Sequence, residues 1–596
     1  MRTHFCGAVN TQNLDGTVTV CGWAHSRRDH GGVIFIDLRD KSGVLQLVAD
    51  PSENADVFAQ ANGVRNEYVL RATGIVRRRP EGTDNSRLSS GEVEVNLCRL
   101  EVLNTATALP FMPDDEGVSE EARLRHRVID LRGTAMQSNL RRRHAMLAAV
   151  RQWFCERDFI DIETPLLTRT TPEGARDFLV PSRLQPDAFY ALPQSPQLFK
   201  QMLMAAGFER YFQIARCFRD EDSRSDRQPE FSQIDVEMSF VEENDVMTMM
   251  EELVIAAFAA VNITLPQPFP RMNCTEAVRR FGIDRPDLRN PLELTDLGDL
   301  MAEVEFKVFR EPAQAADGRV AALRLPGGAS LSRKQIDELT AYVARYGARG
   351  LAYIKVINVT AGADGLQSPI IKFLPENVLA QLIERTQAVD GDIIFFGAGR
   401  EDIVNASLAA LRDRLGEDGN LLSDGWKPLW ITDFPLFERD YERKRWNARH
   451  HPFTAPREGD ERHLPEHPER VMSRAYDMTL NGVEIGGGSI RIHRVETQLA
   501  MLEALGIDET EARRQFGFLL QALESGAPPH GGVAFGLDRM AAMACQVQSI
   551  RDVIAFPKTQ RGQCLLTKAP SSATSEQLQE LHIKVAKRAS PASDSL

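Results

Sequence analysis

The sequence predicts a multidomain chain: an N-terminal β-barrel, then a larger body whose strands come as hairpins, interrupted by an α/β insertion. Three observations predict it. Five short alternating runs separated by Gly, Asp and Asn turns fill the first 105 residues. The stretch Phe212 to Met238 is an alternating run, a loop crowded with charge, and a second alternating run, which reads as strand, loop, strand. Residues 286 to 424 alternate apolar strands with helical patterns. With 596 residues and 43% hydrophobic content, the chain is long enough for about three or four domains with cores of their own.

In the first 105 residues the runs are Val18 to Trp23, Val33 to Leu38, Val44 to Val48, Tyr68 to Val76 and Val93 to Leu97, a pattern that suggests a small barrel of the oligonucleotide-binding type. Period-two alternation sets Val33, Phe35 and Asp37 on one face and Ile34, Ile36 and Leu38 on the other. Phe35 is therefore a candidate stacking platform, with Gln46 on a neighbouring strand. The alternative is an ordinary core phenylalanine.

Residues 106–130 read as a hinge, with Pro110, Pro113 and the acidic patch Asp114 to Glu116. Leu140, Leu147, Val150 and Phe154 then fall at helical spacing, and the helix leads into a strand, Ile160 to Thr164, stopped by Pro165. A loop with Gly174 as pivot precedes Gln194-Ser-Pro-Gln-Leu-Phe-Lys200. Arg219 ends the first strand of the charged hairpin, where a guanidinium can be held rigidly and offered to a phosphate in bidentate fashion. The same loop carries Asp220, Glu221, Asp222, Arg224, Asp226, Arg227 and Glu230.

In the insertion, Val320 to Leu325, Leu351 to Val356 and Asp392 to Gly397 read as strands, and one helix starts at Ser332 with Gln335 placed for a capping box. No nucleotide loop or catalytic cluster stands there. Past it, the strand pattern resumes at Trp430, and His450-His451 follows. Adjacent histidines on a strand point apart, and no third ligand stands at ligand spacing, so no zinc site is expected.

Asn481-Gly482 is a strong two-residue turn signal, so Leu480 should pair with Val483 and Thr479 with Glu484. Asp477 then shares a face with Glu484, about 7–8 Å away along the diagonal, and the two carboxylates can serve a phosphate-bound magnesium ion. Gly486 to Gly488 strip the strand for a close ligand, and Arg491 follows. Pro528 to Met540 reads as a glycine-punctuated strand entering a helix near Asp538, its alternate glycines suited to a flat ring, with Arg539 as a second phosphate cation. The tail from Pro591 to Leu596 is expected to be disordered.

The net charge of −13 excludes a chain that is basic throughout, though Arg27-Arg28, Arg77 to Arg79 and the Arg-rich run from Arg123 to Arg143 offer local basic faces. No apolar run is long enough for a membrane span and the N-terminus lacks an apolar signal core, so a cytoplasmic protein is expected. The eight cysteines form no Cys-x-x-Cys pair and read as reduced small hydrophobes.

The helix ending before Pro165, the hairpin around Phe218-Arg-Asp-Glu221 and the run Gly532 to Arg539 resemble, in this order, the three signature motifs of class II aminoacyl-tRNA synthetases. Gln194 to Lys200, Arg227-Gln-Pro-Glu-Phe231, His450-His-Pro-Phe-Thr454, Gly486 to Arg491 and the large insertion are similar to the bacterial aspartyl branch along essentially the whole chain. The resemblance implies an oligonucleotide-binding (OB) anticodon domain at 1–105, the hinge 106–130, and a catalytic domain built on an antiparallel sheet with helices at 131–285 and 425–560. Between its two parts lies the α/β insertion 286–424, and a C-terminal extension, 561–596, follows.

The same resemblance implies site residues. Arg219, Asp220, Glu221, Gln228, Glu484, Gly536, Leu537, Asp538 and Arg539 are expected at ATP, with Arg219, Glu484 and Arg539 catalytic and Asp477 and Glu484 at Mg2+. Glu173, Gln197, Leu198, Phe199, Lys200, Arg219, Gln233, Asp235, His450 and Arg491 are expected at aspartate, with His450 or His451 facing it. Arg28, Phe35, Gln46 and Glu94 are expected at the anticodon.

The implied reaction attacks the α-phosphorus of ATP with the aspartate carboxylate, then passes the aspartyl group to the tRNA 3′-hydroxyl. It needs no covalent nucleophile, and no Ser-His-Asp or Cys-His set is evident. Arg491 and Lys200 should face the substrate side-chain carboxylate, so that a neutral amide leaves both cations unpaired at a cost of roughly 3–5 kcal/mol. His30 and Gly82 match the pattern of branch members that charge both tRNA(Asp) and tRNA(Asn), although both could be ordinary turn residues. The implied partners are ATP, L-aspartate, both tRNAs, a second copy of the chain and a functional link to a tRNA-dependent amidotransferase. Alternatives are use of tRNA(Asp) alone, asparaginyl or lysyl specificity, which the insertion and Gly486 to Arg491 disfavour, and a non-catalytic paralogue, whose mark would be loss of Arg219, Glu484 or Arg539.

Overall fold

The computed structural model describes residues 1–171, 174–221, 226–440, 443–464 and 466–586. Glu173, Asp222, Arg224 and the tail Pro591 to Leu596 lie outside the described residues. The chain divides into two compact units, Met1–Val118 and Ser119–Leu596.

The first unit is a closed five-stranded barrel of Thr17–His30, Val33–Asp40, Gly43–Ala49, Val69–Arg78 and Val93–Asn104, with the fifth strand between the third and fourth. Closure requires one parallel pair, and it joins Leu47 to Val95. Ile34, Ile36 and Leu38 fill the interior with Val20, Leu45, Leu47, Leu70 and Val95, while Val33, Phe35 and Asp37 turn outward, as alternation requires. A helix, Ala55–Asn62, joins two strands; Asn54 caps it by accepting from the Val57 N–H.

The second unit carries an eight-stranded sheet. Its order is Arg271–Asn273, Pro428–Thr432, Ala475–Leu480, Val483–Ile490, His530–Gly536, Glu230–Ser239, Arg210–Phe218 and Ile160–Asp161. All neighbours are antiparallel except at the two edges. Helices Thr134–Cys155 and Glu243–Ala259 cover one face, where Met146, Val150, Trp153, Phe154, Met250 and Phe258 meet Ile234, Val236, Val533 and Phe535. The opposite face is left to the polar side chains of the same strands.

A separate sheet of five strands, Leu294–Asp296, Gly318–Leu325, Ile393–Arg400, Ala352–Val356 and Leu366–Gln367 in that order, has an apolar core on each face. The helix Arg333–Ala344 starts at the capping box of Ser332 and Gln335.

Three expectations are corrected. The strand after the first long helix is only Ile160–Asp161, and that helix buries Met136, Met146, Val150, Trp153 and Phe154, with Leu140 and Leu147 only half-buried. The cysteines are all free, but Cys98 and Cys155 are exposed rather than core residues. The Arg-rich run is not an open basic face: Arg127 is buried, paired with Asp130, and donates to the carbonyls of Arg551, Ile554 and Ala555, while Arg143 pairs with Asp538. In the charged loop, Glu221 pairs with Arg227, and Glu230 pairs with Arg216 and Lys558.

Candidate active site

Four strands of the large sheet build the floor of a cavity of ≈ 440 Å³. Register aligns Asp477 with Gly487, Gly487 with Ala534, and Ala534 with Asp235, so one row of the floor has carboxylates at its ends and near-bare backbone between them. The next row aligns Ser489, Gly532 and Glu237. Small residues are required for close packing. A Cβ on Gly532 would stand 2.1 Å from Glu237 Oε2, and one on Gly487 would stand 2.4 Å from Asp477 Oδ1 and 3.7 Å from Glu484 Oε1. Gly486 and Gly488 face the other way, against the rings of Phe535 and Tyr476. The glycines thus admit protein side chains first, and a side chain at Gly487 would point between Asp477 and Glu484.

The Asn481-Gly482 hairpin forms with the expected pairs Thr479–Glu484 and Leu480–Val483, but the register then shifts, and Met478 pairs with Gly486. The extra residue is Ile485. In an unbroken strand Glu484 would face away from Gly487, Ser489 and Arg491; the bulge brings all four to one side.

At the deep end, four ionisable groups are buried together. Lys200 Nζ lies 3.2 Å from Asp235 Oδ1 and 3.3 Å from Glu237 Oε2, and Arg491 donates Nε and Nη2 to Glu237 at 2.9 and 3.1 Å. Arg491 Nη1 donates to Ser489 Oγ at 2.8 Å and to His451 Nε2 at 2.7 Å, which makes His451 an acceptor and neutral. Burial, with Arg491 beside it, holds the His451 pKa well below the usual imidazole range. Burial also raises the Asp235 carboxyl, against Lys200, and among the described residues its Oδ2 has no partner. Burial acts on Glu237 too, but Arg491 and Lys200 outweigh it and hold that carboxyl low. The expectation that a missing substrate carboxylate leaves Lys200 and Arg491 unpaired is therefore overturned, because both already have carboxylate partners in this structure.

The outer end is different. Arg219 stands over the Phe231 ring, its Cζ 5.2 Å from the centroid, and among the described residues its buried Nε has no hydrogen-bond partner. Arg539 donates Nη1 to the Glu484 carbonyl and lies 3.7 Å from Asp226. Glu484 and Asp477 flank Gly487, and His450 Nε2 sits 3.5 Å from Asp477 Oδ2. Burial and the Asp477 charge raise the Glu484 carboxyl. Among the described residues no cluster of three or more His, Cys, Asp or Glu is arranged for a metal ion, but two carboxylates suffice for magnesium that keeps waters and phosphate ligands.

Residues 119–560 match the profile of the class II tRNA synthetases (D, K and N), and residues 18–103 match that of the OB-fold nucleic acid binding domain. The chain belongs to the class II tRNA synthetases. A Legionella pneumophila (strain Paris) protein called aspartate–tRNA(Asp/Asn) ligase is 54% identical over 98% of this chain and 99% of its own length. In fold, the synthetase is similar to asparaginyl-tRNA synthetases from Pyrococcus horikoshii (TM-score 0.58, 18% identity) and Entamoeba histolytica (TM-score 0.57, 17% identity), each alignment covering 93% of this chain and 98% of theirs.

Of the residues the sequence singled out, Gln197, Lys200, Arg219, Glu221, Gln228, Gln233, Asp235, His450, Asp477, Glu484, Gly536, Asp538, Arg539 and Arg491 all line the cavity. Leu198 and Leu537 turn into hydrophobic cores, Asp220 is exposed, and Phe199 is half-buried away from the cavity. Gln228 lines the wall with its amide engaged by the backbone of Lys558. Asp538 accepts from the Ser232 N–H at 2.8 Å. Glu237 and Ser489 were missed, and of the two candidate histidines it is His451 that meets Arg491. Glu237 was findable, since it continues the Gln233–Asp235 alternation; Ser489 and the neutral state of His451 follow only from the position of Arg491.

On the barrel of the synthetase, Arg28, Gln46 and Glu94 form one network. Arg28 Nη2 donates to Asp37 at 3.0 Å and Gln46 at 3.4 Å, Gln46 donates to Glu94 at 2.8 Å, and Arg77 Nε donates to Glu94 at 2.8 Å. Glu94 is buried, which leaves Arg28, Gln46 and the half-buried Phe35 as the outward groups. The exposed His30 ring lies edge-on to Phe35 at 6.5 Å, and Gly82 has φ of 79°.

Proposed function

We propose that this synthetase activates L-aspartate with ATP and charges both tRNA(Asp) and tRNA(Asn). The observation that carries aspartate is the pair of buried cations, Lys200 and Arg491, at the closed end of the cavity, oriented by Glu237 before any substrate arrives. Preorganised cations recognise a side-chain carboxylate at little reorganisation cost, and a neutral amide gains much less from them. Asp235, its carboxyl raised by burial and its Oδ2 unpartnered among the described residues, suits a cationic α-amino group. Glu173, outside the described residues, is assigned to the same substrate by its motif alone.

The reacting α-carboxylate comes to Arg219, between the amino-acid end and the nucleotide end. Its oxygen attacks the α-phosphorus in line as the bond to pyrophosphate breaks; the tRNA 3′-hydroxyl then attacks the aspartyl carbonyl and AMP leaves. Arg219 and Arg539 meet charge on the phosphates, and Phe231 offers an aromatic face beside Arg219. Asp477 and Glu484 fit a magnesium ion carried with ATP, which when bound supplies positive charge to the phosphate oxygens.

The Legionella relative's name supports use of both tRNAs, and His30 and Gly82 at the barrel rim fit it. Exposed Ile160 on the sheet edge, and exposed Leu179, Phe189 and Tyr190 on a two-stranded ladder, favour a homodimer. Among the described residues no helix is long and apolar enough to cross a membrane, and the reading puts the protein in the cytoplasm, with a tRNA-dependent amidotransferase as the enzyme that would use aspartyl-tRNA(Asn). ATP–pyrophosphate exchange with aspartate, asparagine and lysine tests the amino acid. Exchange with aspartate alone is expected; exchange driven by asparagine or lysine instead overturns the assignment.

A further inference from the structure

We propose that Lys558 is a positioning residue that sets the nucleotide end of the site by holding the hairpin 210–239 from outside; this rests on the proposed ATP chemistry. The strand ladder of that hairpin ends at the pair Phe218–Glu230, and one further backbone bond, from the Arg219 N–H to the Pro229 carbonyl at 2.9 Å, carries the pairing into the loop. Lys558 supplies three hydrogen bonds. Its backbone N–H donates to Gln228 Oε1 at 2.7 Å, its carbonyl accepts from Gln228 Nε2 at 3.0 Å, and its Nζ donates to Glu230 Oε1 at 2.7 Å.

Gln228 Nε2 also donates to the Arg227 carbonyl at 3.3 Å, so the amide oxygen and both amide protons are engaged within the protein. Gln228 thus forms the cavity wall as a brace, not through an amide free to read ATP. Glu230 accepts from Arg216 Nη2 at 2.7 Å, and Arg216 Nη1 donates to Ser232 Oγ at 3.1 Å. The brace therefore reaches both strands of the hairpin.

Its far end is fixed. Arg127, buried under the same segment, donates to the carbonyls of Arg551 and Ile554 at 2.8 Å and of Ala555 at 2.9 Å, and Asn139 Nδ2 donates to the Asp552 carbonyl at 3.1 Å. Ile550, on this segment, lines the cavity. Lys558 therefore joins an anchored stretch to the loop that carries Arg219, Glu221 and Arg227, while the aspartate end, farther along the same hairpin, has its own ion pairs from Glu237 to Lys200 and Arg491. The two ends should respond separately.

The test is Lys558→Met in the full chain, read by aspartate-dependent pyrophosphate exchange, by equilibrium binding of ATP and by thermal melting. The KM for ATP should rise about five- to tenfold with the KM for aspartate within about twofold of wild type, and Lys558→Arg should restore most of the loss. Glu230→Gln should produce the same shift, and the double variant should add little to either single one. An unchanged KM for ATP, equal rises in both KM values, or additive single effects would overturn the proposal. If the wild type shows no aspartate-dependent exchange, the functional reading fails by itself; the ratio of ATP affinities of Lys558→Met and wild type still decides the role of Lys558.

Discussion

Arg491 and Glu237 form a two-pronged ion pair, Nε to Oε1 at 2.9 Å and Nη2 to Oε2 at 3.1 Å, in which neither residue is more than 1% exposed. Lys200 reaches the same Oε2 at 3.3 Å, so one carboxylate holds two cations. Glu237→Gln leaves these cations with Asp235 alone, and removing one partner of a buried pair costs about 3–5 kcal/mol. Denaturant unfolding should show a loss of that size; a wild-type midpoint would contradict it. Because Arg491 and Lys200 hold the Glu237 carboxyl below its ordinary 4.5, against burial, its stabilising contribution is present above that value. It is lost as pH falls through the lower folded-state pKa.

Arg491→Leu removes the cation while leaving the outer end of the cavity intact. Aspartate-dependent exchange should fall at least about a hundredfold while ATP still binds, since a charged hydrogen-bonding group placed at the reacting substrate is worth several kcal/mol. Near-normal exchange would take Arg491 out of the site.

Glu484 has the opposite sign from Glu237. Burial and Asp477 raise its carboxyl, so the folded state holds this proton more tightly than the unfolded chain does. That contribution to stability is complete at low pH and is lost as pH rises through the raised folded-state pKa, leaving a repelling pair at neutral pH. Glu484→Gln should therefore melt no lower than wild type at neutral pH in the absence of nucleotide, yet lose most magnesium-dependent exchange. A thermal melt without nucleotide checks the first part and a magnesium-dependent pyrophosphate-exchange assay the second, and a lower melting temperature with full activity would contradict them.

On the barrel, Phe35→Ala removes the outward ring beside His30. Base stacking on an aromatic side chain is worth about 1–3 kcal/mol, so kcat/KM for tRNA should drop about ten- to a hundredfold while pyrophosphate exchange is unchanged. Loss of both activities would indicate a barrel packing role instead.

How far the sequence reaches depends on the range of the interaction. Alternation and turn chemistry are local, so the barrel strands, the Asn481-Gly482 hairpin and the Ser332 cap follow from residues near each other in the chain. The bulge at Ile485 breaks the alternation and decides that Glu484 and Arg491 share a face, and no residue type in the strand announces it. Pairing across the sheet is out of reach in the same way. Arg491 and Lys200 read as free cations because Glu237 is 254 residues from Arg491 in the chain, and the partner of the Gln228 amide, Lys558, is 330 residues away. The Arg-rich run from 123 to 143 reads as a surface for the same reason: its partners at 538 and 551–555 arrive only with the fold.

The most direct measurement charges two in vitro transcripts, tRNA(Asp) and tRNA(Asn), with radiolabelled L-aspartate under identical conditions. Aspartate should be esterified to both, in amounts that approach the acceptor capacity of each. Charging of tRNA(Asp) alone would contradict dual use, and charging of neither would contradict the enzyme assignment.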